Sequence, residues 1–187
     1  SDPSDGAWLR WRANKITAFM TELNKKIKEA KPNILFSVSP ATYKLALYTY
    51  LQDWLDWVRK GIVDELVVQV YRSDLSSFLE PLGRPEFQEA KTKVNTAVGI
   101  LTGLKTKPIP MNLIQSKVRA AEASGLGVSF FYYKTLWDIA PESTTQRKAD
   151  FRGIFDVPAP RSLAQKFIPP VTVPNSVPIS RPSPALP

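Results

Sequence analysis

The sequence predicts an α/β domain of repeated (β/α) units around a parallel sheet. Three observations carry this reading. Apolar, strand-like runs start at Ile34, Glu65, Ala97 and Leu126, at spacings of 31, 32 and 29 residues. Segments of helical periodicity lie between them, and proline or glycine punctuates the junctions. Regular alternation at about 30 residues per unit implies right-handed crossovers between parallel strands.

The elements follow in order. Ser4 or Asp5 suits the N-cap of a helix from about Ala7 to Lys31. Its apolar residues Ile16, Phe19, Met20, Leu23 and Ile27 recur at three and four, so they should form one buried stripe. Pro32-Asn33 ends that helix, and ILFSVSP (34–40) reads as a short strand. YLQDWLDWVRKG then repeats Leu51, Trp54, Leu55 and Val58 at helical spacing, with Gly61 as its stop. Trp54 and Trp57 belong to that helix's packing, and Asp53 and Asp56 to its solvated side. DELVVQVYRSDL carries the second strand, about Glu65 to Tyr71. A helix from about Pro85 to Thr96 leads to strand AVGILTGL (97–104). Another, about Asn112 to Ser124, feeds LGVSFFYYK (126–134), and a last helix covers about Glu142 to Arg152.

Two architectures fit four such units: an open doubly wound sheet, or part of a (β/α)8 barrel, which in full takes about 250 residues. No strand is followed by a glycine-rich phosphate loop, which weakens the nucleotide-binding open sheet. The (β/α) domain is therefore expected over residues 1–156, as the carboxyl-terminal half of a barrel. From Val157 the composition changes, and nine of the last thirty residues are proline. Such a stretch should run extended, as a tail or linker over 157–187.

Composition excludes several chemistries. The chain has 187 residues, no cysteine and no histidine, so disulfides, thiolates and any Ser-His-Asp arrangement are ruled out. A metal would need a carboxylate and carbonyl cluster, and none stands out, so no metal or other cofactor is expected. The formal charge is +8, but the 25 Lys and Arg are spread along the chain. Specific nucleic-acid binding normally concentrates charge on one face and is not expected. No apolar run approaches the roughly 20 residues of a transmembrane helix. The sequence starts without an initiator Met or a signal peptide, so a processed or truncated piece of a longer protein is expected.

Parallel α/β folds place ligand sites at the carboxyl ends of their strands. Here those ends are polar or aromatic: Ser37 and Ser39, Gln69 and Tyr71, Thr102, and Tyr132, Tyr133 and Lys134. Alternation puts Ser37 with Ser39, and Gln69 with Tyr71, on one face. Hydroxyls, an amide and phenol rings suit a sugar, bonding its hydroxyls and covering its C–H faces. Trp137, just past the last strand, is either a stacking platform or a cap on the core. Arg72 either binds a carboxylate in the site or pairs with Asp74. Glycoside hydrolysis normally needs two carboxylates about 5–9.5 Å apart. Only Asp74 and Asp138 follow a strand's carboxyl end, both on loops, and they are weak catalytic candidates. Asp64 and Glu65 lie at the opposite, amino end.

KPNILFSVSP, followed by YLQDWLDWVRKGIVDELVVQVYR, resembles the glycosyl-hydrolase-like 10 family, in particular its cyanobacterial members. The pattern is a strand ending SxSP, a helix with DWxxWVxxGxVDE, and a strand ending QxY. The resemblance covers about Trp8 to Asp138. It implies a glycosidase-related barrel, action on bacterial cell-wall glycan, export to the periplasm, cell envelope or lumen, and a sugar cleft lined by Ser39, Gln69 and Tyr71. The family's first barrel half, with an Asp-Asp-His motif, has no counterpart here. Catalytic acids are therefore expected outside this chain. The open sheet edge should be covered by the missing amino-terminal half or by a second protein chain. The competing expectation is a non-catalytic binding or structural module of an assembly; an anion- or phosphosugar-binding barrel ranks last.

Overall fold

The structure is a computed structural model that describes residues 5–156. The proline-rich segment from Val157 falls outside the described residues. The order is α1 (Gly6–Ala30), β1 (Ser37–Val38), α2 (Tyr43–Tyr50), α3 (Trp54–Arg59), β2 (Glu65–Val70), α4 (Leu75–Leu82), α5 (Pro85–Lys93), β3 (Asn95–Leu101), β4 (Gly103–Leu104), β5 (Lys107–Pro108), α6 (Met111–Ala123), β6 (Gly127–Phe131), α7 (Tyr133–Trp137) and α8 (Thr144–Phe155).

Four strands form one parallel sheet in the order β1-β2-β3-β6. Its two faces differ. Leu66, Val68, Val70, Val98 and Ile100 are buried beneath the helices. On the opposite face Val67, Gln69 and Ala97 are half-buried, and Gly127, Ser129 and Phe131 are exposed. A doubly wound sheet is covered by helices on both faces. This sheet is covered on one, as a barrel strand set is, so the α/β class with parallel units holds and the open-sheet alternative does not.

The α1 helix starts on Asp5, whose carboxylate accepts the Trp8 N–H at 2.7 Å. It packs through Leu9, Ala13 and Thr17, with Ile16 and Met20 beside them. Phe19, expected in the stripe, is 63% exposed. It lies about 100° around the helix from Met20, off the packed side.

Trp54 and Trp57 are core residues as expected, and each indole N–H is satisfied. Trp54 donates to the Ala41 carbonyl and Trp57 to the Thr17 hydroxyl. Asp53 is not solvated: it is buried, caps α3, and accepts from Arg10, the Tyr43 hydroxyl and the Asp56 N–H. The helix expected over 50–61 forms only as α3, and an unexpected helix, α2, precedes it. Leu51, at φ 60°, ends α2 in a left-handed turn, and α3 starts afresh after Asp53. The third strand stops at Leu101, where the expected run continued to Leu104. Gly103 turns the chain at φ +143°, and a Cβ there would meet the Ile109 N and Pro108 Cα, each at 3.2 Å.

Arg147 ties down the last unit. Its buried guanidinium donates to the Leu136, Ile109 and Thr135 carbonyls and to Glu142 at 2.7 Å. Burial pushes the Glu142 carboxyl up, but the Met111 N–H and Arg147 together hold it below its ordinary value.

Candidate functional site

The uncovered face of the sheet is shaped by small residues. Register sets Gln69 beside Gly99 and Gly99 beside Ser129, with Ala97 and Gly127 one layer nearer the amino end. A filled barrel interior is normally packed with branched residues. Gly99 leaves room for the Tyr71 ring: a Cβ at residue 99 would sit 3.0 Å from Tyr71 Cε1. Tyr71 reaches across β3 to stack on Phe131, with centroids 4.7 Å apart and planes 20° apart. Phe131 is 43% exposed. The result is an aromatic shelf at the carboxyl end of the sheet, with exposed Tyr133 just beyond it. Burial raises the Tyr71 phenol above its ordinary pKa, so it stays a neutral donor.

Gln69 is aimed by its amide, which donates to the Ser39 carbonyl at 2.7 Å. The Ser39 hydroxyl belongs to an exposed residue beside it. Arg72, just past Tyr71, is half-buried. Its carbonyl accepts from the Lys117 ammonium of α6 at 2.5 Å. Lys117 is completely buried, with its ammonium 5.8 Å from the centre of the Phe78 ring. Burial lowers its pKa to about 8, opposed only in part by Asp74.

Several expected site residues have other work. Ser37 lies at the amino end, in register with Glu65, and donates to that carboxylate at 2.6 Å. The strand is two residues long, so Ser37 begins it where a longer strand was expected to carry it upward. Thr102 is buried and bonds the Thr135 hydroxyl and the Tyr132 carbonyl. Tyr132 itself is half-buried at the start of α7, its ring 5.3 Å from Phe131. Trp137 packs edge-on to Phe151 at 5.0 Å and caps the core.

The two candidate acids sit on different elements, Asp74 at the start of α4 and Asp138 at the end of α7. Asp74 caps α4, and its two oxygens accept from the N–H and hydroxyl of Ser77. Those bonds, the hydroxyl's first, hold its carboxyl below the ordinary value. Asp138 is exposed at the end of α7. The acid at the amino end, Asp64, accepts from the Phe36 N–H and Lys28 and is structural. No group of three or more acidic residues suited to a metal occurs among the described residues.

Gly99, Phe131 and Lys117 were not singled out from the sequence. Phe131 had a signal, since it shares the alternation of Ser129 and so points to the uncovered face. Lys117 had none, because its burial depends on how α6 packs against α4.

The glycosyl hydrolase-like 10 family model matches residues 1–120, from α1 through most of α6. The chain belongs to this family. Gln69, Tyr71, Arg72, Gly99 and Lys117 fall inside the matched region, whereas Phe131 and Tyr133 lie beyond it. The shelf is thus built from residues on both sides of the end of the matched region. No curated protein matches the chain. No helix among the described residues is long and apolar enough to cross a membrane.

Proposed function

We propose that this chain supplies one wall of a polysaccharide-binding cleft in a glycosidase-like protein, with bacterial cell-wall glycan as the substrate. The observation that carries it is the stacked Tyr71–Phe131 shelf over Gly99, flanked by the held amide of Gln69. Flat rings accept the C–H faces of a sugar, and the amide carbonyl and neutral phenol bond its hydroxyls.

Mechanistically, this wall binds and orients. On the uncovered face of β2, β3 and β6 the only acidic side chain is Glu65, at the amino end and bonded to Ser37. Hydrolysis by an acid and a base or nucleophile therefore needs carboxylates from a complementing barrel half, on the same polypeptide or another. That half would also cover the open edges of the sheet, and export to the envelope would bring it to its substrate. The shortage of acids equally favours a second reading, a non-catalytic glycan-binding module within a larger assembly.

Glycan release from peptide-stripped cell-wall strands separates the two. The chain alone should release nothing. Joined to a complementing half with two carboxylates, it should release product, and Tyr71→Ala should weaken that. A well-folded joined form that binds strands but releases none favours the module. One that neither binds nor cleaves removes the glycan reading.

A further inference from the structure

We propose that Arg72 makes this cleft selective for glycans that carry carboxylates. The proposal rests on the glycan reading above and specifies the substrate class within it.

Seven ion pairs join charged side chains among the described residues, and Arg72 takes part in none of them. Its side chain donates a long bond, 3.3 Å, to the carbonyl of Tyr71. A half-buried guanidinium gains from an anionic partner, and its planar fork of donors fits a carboxylate with two parallel bonds. The natural internal partner, Asp74, is engaged elsewhere, with its two oxygens on Ser77.

The backbone of Arg72 is held on both sides. Its N–H donates to the Val70 carbonyl at 3.0 Å, and its carbonyl accepts from Lys117. The side chain thus springs from an anchored point directly after Tyr71, at the carboxyl end of β2. Lys117 adds a cation under the same loop, partly offset by Asp74. Exposed Lys134, three residues past Phe131, adds another charge at the far end of the sheet. Arg72 follows Tyr71 directly, so a flat ring for the sugar and a cation for its acid lie one residue apart at the carboxyl end of β2.

The test compares two probes with one backbone: peptide-stripped cell-wall glycan strands, and the same strands with carboxyl groups reduced to alcohols. Binding to the wild-type chain, Arg72→Gln and Arg72→Lys is titrated at low and high salt, with melting followed alongside. The wild type should bind the acidic strands about tenfold more tightly than the reduced ones, and salt should narrow the gap. Arg72→Gln should lose affinity for acidic strands only, so that the two probes become equal. Arg72→Lys should keep part of the preference, since it keeps the charge without the fork. Should Arg72→Gln not fold, the wild-type comparison and Arg72→Lys decide. Equal wild-type affinities, or a preference that survives in Arg72→Gln, overturn the selectivity and leave the cleft standing. Failure of the wild type to bind either probe, both alone and joined to a complementing half, removes both.

Discussion

Tyr71 and Phe131 meet across β3, ring on ring at 4.7 Å, because residue 99 between them has no side chain. Each ring depends on the other and on that gap. Tyr71→Ala and Phe131→Ala should each weaken glycan binding about five- to tenfold while melting changes little. Gly99→Val should do the same by lifting the Tyr71 ring, with the added Cβ starting 3.0 Å from it. A titration in which Gly99→Val binds like wild type would mean the shelf is not the ligand surface.

Asp53 combines a helix cap with two side-chain partners in a buried place. Arg10 is 58% exposed, so its share of the stability is small. The Tyr43 hydroxyl at 2.9 Å and the Asp56 N–H carry more, because both lose their acceptor together. Asp53→Ala should cost about 2–4 kcal/mol in urea unfolding. A loss under about 1 kcal/mol would place the carboxylate in water after all.

Arg147 should be the costliest surface-remote substitution in the last unit. Replacing it by Met removes the donor for three carbonyls and leaves Glu142 with the Met111 N–H alone, for a loss of about 3 kcal/mol or more. Arg147→Lys should restore little, since one ammonium cannot reach what the fork spans. Chemical unfolding of the three proteins under identical conditions measures this.

Lys117 should leave a signature in the pH dependence of stability. Its folded pKa of about 8 lies below its ordinary value of 10.5. Below pH 8 both folded and unfolded chains carry the proton, and the full penalty of burying it is present. Between the two values the unfolded chain binds more protons, so stability rises with pH. Wild type should therefore gain on Lys117→Met across that window. Parallel curves for the two proteins would show an ammonium hydrated in the folded state.

Much of the sheet was legible because its unit length repeats and its strands are apolar runs. Helices α2 and α4 were not. TYKLALYTY is rich in Tyr and Thr, which weigh against helix, and Leu51 continues the heptad-like spacing through a turn that breaks it. In α4, Pro81 and two serines read as a loop, yet Pro81 falls in the last turn, after the first turns have formed. In the site, alternation correctly grouped Gln69 with Tyr71. It could not tell that Ser37 and Thr102 spend their hydroxyls on neighbours, because those partners lie 28 to 33 residues away. Asp74 shows the same limit, since its cap on Ser77 requires α4 to be recognised first.

The spatial order of the strands has a kinetic consequence. Each parallel strand pairs with the next parallel strand along the chain, and pairing partners are separated by 28 residues at β1–β2 and 30 at the two later ladders. Loop-closure entropy depends on that separation, so every step meets nearly the same entropic barrier and no late step must thread past an early one. The sheet can grow strand by strand as the chain leaves the ribosome. A further unit can join either end without disturbing a ladder already formed.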